Sequence, residues 1–170
     1  VIVVFDVTEK PAKMVYFHWV EGKGSYNPFL NSYRYAINKY HPVLKGLDAT
    51  GTQKAIDEIA FENNGISVDG INFQKDKDGM LNSLISVIAN HDIEMPIIQG
   101  VNKQLSIYTR ENDKRLSQDI VMAMAMAAFL IRYIPDDSTA DDYAELETSG
   151  YRRGGRRNLR FRTTRNARRY

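Results

Sequence analysis

The sequence predicts an α/β domain built on a mixed sheet, because short β-branched runs alternate with segments of helical apolar spacing and acidic residues stand where those elements end. At 170 residues with 43% hydrophobic content, the chain is long enough for one ordinary core and too short for a comfortable second one. Val1 to Val7 is the first β-branched run. Thr8 to Pro11 reads as a turn, and Lys13 to Glu21 is a second strand-like run rich in Val, Tyr, Phe and Trp, so the two predict a β-hairpin.

After the Gly22-Lys23-Gly24 break, Asn27-Pro28 marks a helix start. Phe29, Tyr33, Ile37 and Tyr40 follow at helical spacing until Pro42. A short strand is expected over Val43 to Leu47, then the acidic turn Asp48-Ala49-Thr50-Gly51, then a helix from about Thr52 to Asn63. Gly65 to Phe73 alternates like a strand, whereas Leu81, Leu84, Ile85 and Ile88 give Gly79 to Ala89 a helical spacing. Ile93 to Ile98 reads as a strand, Val101 to Tyr108 as a helix, and Ser117 to Tyr133 as a last, strongly apolar helix before Pro135. In that helix Met122, Met124 and Met126 alternate with alanines, a pattern for close packing against a sheet.

Charge divides the chain more sharply than its net value of +2 indicates. The segment 151–170 carries nine arginines and no acidic residue, which leaves 14 basic and 21 acidic side chains in the rest. This tail, with its Gly154-Gly155 pair and no apolar periodicity, is expected to be flexible until it meets a polyanion. Arg152, Arg153, Arg156, Arg157, Arg160 and Arg162 are its candidate phosphate contacts, since arginine without lysine favours bidentate binding. The division expected is a domain over 1–134, an acidic connector over 135–150 and the arginine-rich tail.

Several chemistries are excluded by what the sequence lacks. Without cysteine there is no disulfide, thiolate zinc site or cysteine nucleophile. His18, His41 and His91 lack metal-ligand spacing, and neither a Gly-x-Ser-x-Gly elbow nor a phosphate-binding Gly-x-x-x-x-Gly-Lys-Ser/Thr loop occurs, so no ATP site is expected. No apolar run reaches the length of a bilayer span, and no membrane partner is expected. Tyr16, Phe17 and Trp19 are assigned to packing.

Two carboxylates stand out by position. Asp48 closes a strand just before a small flexible turn, the place where open α/β sheets carry ligands. Asp119 opens the apolar helix, supported by its dipole. Alone, the first is a turn former and the second a helix-terminal charge. Together, in a chain with a phosphate-seeking tail, they suit a hard divalent cation such as Mg²⁺ or Mn²⁺.

Three blocks carry a resemblance: Val1-Ile2-Val3-Val4-Phe5-Asp6-Val7-Thr8-Glu9, Leu47-Asp48-Ala49-Thr50-Gly51, and Leu116-Ser117-Gln118-Asp119-Ile120 with the small apolar residues after it. In order and spacing they resemble the nuclease domain of viral and phage terminase large subunits. That resemblance implies a ribonuclease H-like fold, a mixed sheet flanked by helices. It also implies two-metal hydrolysis of DNA phosphodiester bonds at the start and end of genome packaging, with Asp48 and Asp119 as catalytic metal ligands. Gln118 stands where the family has the first acid of a pair. The implied partners are double-stranded DNA, a portal protein and a small terminase subunit, in the cytoplasm of a host cell. On one alignment Val1 to Val7 matches the family's second strand, so the first strand and its aspartate are lacking; on the other, Val1 to Val7 is the first strand and Asp6 its ligand. The first is the alignment preferred here, and it keeps open an inactive DNA-binding or portal-docking module.

Overall fold

In the computed structural model, residues 1–19, 26–48, 69–113 and 118–134 are described. The expected hairpin forms from β1 (Ile2–Asp6) and β2 (Ala12–His18), antiparallel, with Ile2 opposite His18 and Asp6 opposite Lys13. Its register slips between Val4 and Phe5, which face Tyr16 and Met14, so Val15 is the extra residue of a bulge. The bulge reverses the alternation of β2. Met14 and Phe17 consequently pack on one side of the sheet and Tyr16 on the other.

Helix α1 (Tyr26–Tyr40) covers one face. Leu30, Tyr33 and Ala36 are buried against Ile2, with Val4, Tyr16 and Leu47 around them. Two polar links fix its position over β2: the Tyr40 hydroxyl donates to the Val15 carbonyl at 3.1 Å, and Ser32 Oγ lies 3.1 Å from His18 Nε2.

The next strand, β3 (Gly46–Asp48), starts three residues later than the sequence predicts. It pairs in parallel with β4 (Asp69–Ile71), Gly46 opposite Asp69 and Asp48 opposite Ile71. The predicted helix from Thr52 to Asn63 and most of the predicted strand from Gly65 lie outside the described residues. At the far end of that strand the sequence reading is corrected. Phe73 belongs to helix α2 (Phe73–Ala89), not to the strand, because the Asn72 side chain accepts from the Lys75 N–H at 3.1 Å and caps a helix starting six residues before Gly79.

Helix α2 ends in a Schellman turn. The Asp92 N–H donates to the Val87 carbonyl at 2.8 Å and the His91 N–H to that of Ile88 at 3.2 Å, with His91 at φ 57°. The turn delivers the Asp92 carbonyl to the Ala12 N–H at 2.9 Å and starts β5 (Ile93–Glu94), parallel to β2. The sequence predicts a strand as far as Ile98. Pro96 has no N–H to give a ladder and Ile97 is 93% exposed, so pairing stops at Glu94. Helices α3 (Gln99–Ile107) and α4 (Asp119–Ile131) complete the chain's described part, close to their predicted limits.

The architecture is therefore mixed α/β, with strands in two groups, β1-β2-β5 and β3-β4, where the sequence predicts one sheet. Opposite α1, the main core gathers Met80, Val101, Ile120, Val121 and Met124, all 2% exposed or less, around α4. Gly79 lies against Phe129, and Arg132 Nη1 donates to Ser83 Oγ at 2.9 Å, so α2 and α4 run in the same direction along each other. Among the described residues no helix is long and apolar enough to cross a membrane.

Candidate functional site

A cleft of about 1150 Å³ opens between β1 and β3. One wall is β1 with its flanking residues Val1 to Thr8, and the other is the segment from Tyr40 to Asp48. Side chains of α1, such as Phe29 and Tyr33, cover it on one side, and Met122, Met126 and Leu130 of α4 cover it on the other. The lining is mostly apolar, with charges confined to a few positions.

Asp48 and Asp119 both line this cleft, although 70 residues of sequence separate them. Their placement follows from the packing of β3, β4, α2 and α4. Gly46, the first residue of β3, lies under Met126 and Leu130 in the second half of α4. Asp48, at the other end of the strand, faces Ile71, two residues before α2 begins, and α2 runs alongside α4 from its start. The strand therefore runs against α4, and Asp48 is carried toward the Asp119 end of that helix. Both carboxylates are exposed to solvent at the cleft.

Asp119 also lies near the start of β1. Burial lowers the pKa of the Val1 amine, and the negative charge of Asp119 raises it in opposition. Asp6 is at the other end of the five-residue strand, roughly 17 Å away at about 3.3 Å per residue. Its carboxylate is engaged locally. The Thr8 N–H donates to Asp6 Oδ1 at 3.0 Å and the Thr8 hydroxyl donates to the same oxygen at 2.7 Å, which holds the Asp6 pKa below its ordinary value. Asp6 is thus the aspartate of an Asx turn closing the hairpin, on the cleft wall but remote from Asp119.

Two cleft residues were given no functional role from the sequence. Gln118, just before α4, has its side-chain oxygen buried with no hydrogen-bond partner among the described residues. Beside Asp119, that oxygen is a neutral donor of the kind a hard cation accepts. The sequence signal was the displaced family acid at this position, but an amide is not recognisable as a ligand without knowing that it is buried. Lys77 also reaches the cleft, and it forms an ion pair with Asp113 that receives a 2.7 Å hydrogen bond from the Tyr108 hydroxyl. In sequence it sits in the mixed-charge run Lys75-Asp76-Lys77-Asp78, ahead of the predicted helix, and looks like a solvated turn.

Among the described residues, no three His, Cys, Asp or Glu side chains gather closely enough to hold a metal ion. Asp48, Asp119 and the Gln118 amide place oxygen groups along the cleft, and oxygen donors suit Mg²⁺ or Mn²⁺, which retain water and take few protein ligands. The candidate phosphate contacts Arg152, Arg153, Arg156, Arg157, Arg160 and Arg162 lie outside the described residues. Comparison of the chain with family models, with curated proteins and with solved structures gave no match in any of the three.

Proposed function

We propose that this domain is a metal-dependent endodeoxyribonuclease of the terminase type, with a ribonuclease H-like fold, acting on double-stranded DNA during viral genome packaging. The observation that carries the reading is that Asp48 and Asp119 line the same cleft, and that Gln118, next to Asp119 in sequence, has a buried side-chain oxygen with no hydrogen-bond partner among the described residues. Those were the two carboxylates selected from the sequence for their positions at element ends.

Asp48, Asp119 and Gln118 would hold the cation, Mg²⁺ or Mn²⁺. When bound, it supplies Lewis acidity toward water and the scissile phosphate. The protein groups do the rest. Asp119 stands in the first turn of α4, and Asp48 is fixed by the β3-β4 ladder. The arginines of 151–170 would track the phosphate backbone, with affinity falling steeply as salt rises. Asp6 takes no part on this reading. A portal protein and a small terminase subunit are the protein partners that the resemblance suggests.

The test is plasmid nicking and linearisation with Mn²⁺ or Mg²⁺, run beside calorimetric Mn²⁺ titration. Asp48→Asn and Asp119→Asn are expected to abolish cleavage and weaken Mn²⁺ binding at least tenfold, and Asp6→Asn to change neither. Cleavage and Mn²⁺ affinity retained in both Asp48→Asn and Asp119→Asn would refute the proposal. DNA binding without cleavage by the parent chain would support the inactive DNA-binding module instead.

A further inference from the structure

Outside the arginine tail the chain is acidic, with 14 basic side chains against 21 acidic ones, yet the segment 26–47 carries Arg34, Lys39 and Lys45 and no acidic residue. Its helix, α1, buries Leu30, Tyr33 and Ala36 and turns Asn31, Tyr35, Asn38 and Lys39 to solvent, with Arg34 partly exposed among them. Residues three and four apart share a helix face, so these five form one stripe of amides, cations and an aromatic ring. A face kept for solubility alone mixes both signs of charge.

The stripe borders a cluster of rings. Tyr35 is 50% exposed, and its ring centre lies 5.7 Å from that of Tyr16 on β2, which in turn lies 5.8 Å from that of Tyr40. His18 extends the row, nearly parallel to Tyr16 at 6.3 Å. The inner rings are held in place. Tyr40 is pinned by its hydrogen bond to the Val15 carbonyl, His18 lies within hydrogen-bond distance of Ser32, and Tyr16 packs against the α1 core. Lys39 Nζ stands 5.5 Å from the Tyr35 ring centre and 5.0 Å from that of Tyr40, so a positive charge and a half-exposed ring stand side by side.

We propose that the outer face of α1, with the adjoining rings of β2, is a binding platform for single-stranded nucleic acid. Proteins that hold single strands combine cations along the phosphate backbone with aromatic faces on which bases stack. Here Tyr35 receives a base and is backed by Tyr16, Lys39 and Arg34 meet the flanking phosphates, and the Asn31 and Asn38 amides offer donors and acceptors to base edges. A duplex is a poor fit, because its base faces are stacked against one another and closed to a tyrosine ring. An acidic protein would satisfy the cations but leave the ring without a planar partner. Every base has a π-face, in DNA and RNA alike. Tyr16, Tyr35 and Lys39 stand outside the cleft, and the platform uses neither Asp48 nor Asp119, so failure of the nuclease reading leaves it untouched.

The experiment is fluorescence anisotropy of the 170-residue chain with labelled oligo-dT, oligo-U and an abasic strand of the same length, in EDTA to prevent cleavage. The arginine tail meets all three through phosphate, so only the strands with bases report stacking. Tyr35→Ala should weaken oligo-dT and oligo-U binding at least about fivefold and leave abasic binding unchanged, while Tyr35→Phe, which keeps the ring, should bind like the parent. Lys39→Gln should weaken all three and lower the salt slope of the logarithm of affinity by about 0.7, the share of one phosphate contact. A loss in Tyr35→Ala confined to one of the two strands with bases would support the platform and assign it to that nucleic acid. Unchanged affinity of Tyr35→Ala for both would overturn the proposal, as would an equal loss for the abasic strand. Poly-glutamate binding that Tyr35→Ala weakens as much as oligo-dT binding would overturn it in favour of an acidic protein partner.

Discussion

The Gln104 side-chain oxygen accepts a hydrogen bond from the Ile120 N–H at 3.1 Å, so the N-terminus of α4 is capped by a residue of α3. Gln118, at the N-cap position of α4, supplies no side-chain hydrogen bond of its own. A donor at the start of a buried helix needs a partner, and here a residue 9% exposed and 16 positions away provides it. The same bond holds the turn of α4 that presents Asp119 to the cleft.

Gln104→Leu is therefore expected to destabilise the fold by about 1–3 kcal/mol, the cost of leaving a buried N–H unsatisfied. Urea unfolding of the purified variant checks this. A loss below about 0.5 kcal/mol would mean that the helix start finds water or another acceptor.

Gly46 meets α4 closely. A Cβ there would stand 2.9 Å from Leu130 Cδ1 and 3.0 Å from both Ile71 Cδ1 and Met126 Sδ. Gly46→Val should cost about 1–3 kcal/mol through overpacking. Combined with Leu130→Ala, it should cost less than the sum of the two single changes, because the truncated side chain vacates the contested space. Strict additivity in thermal or urea unfolding would place the strain elsewhere.

Tyr108 and Lys77 share Asp113. The Tyr108 pKa is raised, first by burial and then by its hydrogen bond to the Asp113 carboxylate. A raised folded-state pKa favours the protonated phenol, so its contribution is complete below the ordinary value of 10.0 and is lost as pH rises beyond it. Tyr108→Phe should destabilise at neutral pH by about 1 kcal/mol. It should also flatten the fall in stability above pH 10.0 relative to the parent. Parallel stability curves for the two proteins across that range would count against this account.

Gln118 offers a test that separates folding from binding. Its buried oxygen has no hydrogen-bond partner among the described residues, a burden to the metal-free fold of about 1–3 kcal/mol. Gln118→Leu should leave metal-free stability equal or higher while weakening Mn²⁺ binding severalfold, and Gln118→Glu should tighten that binding. A marked loss of stability in Gln118→Leu would reveal a structural partner for the amide. Unchanged Mn²⁺ affinity in both variants would remove Gln118 from the cation site.

The sequence by itself determined the local elements whose signals are local. The β1-β2 hairpin follows from two β-branched runs about a turn, α1 from Phe29, Tyr33 and Ile37 at helical spacing, and α4 from its unbroken apolar run. It also singled out Asp48 and Asp119, since an acid at the end of an apolar element is visible in one dimension. Boundaries were lost where a side chain overrides periodicity, as Asn72 does by capping α2 and Pro96 by ending β5. Only the tertiary structure decided that the strands form two groups, that Asp48 and Asp119 face one cleft, and that Asp6 stands apart from them. Those relations depend on which way α4 crosses β3 and on the depth at which the Gln118 oxygen is buried. Both are products of long-range packing, in which Gly46 allows close approach to Leu130 and α2 aligns with α4.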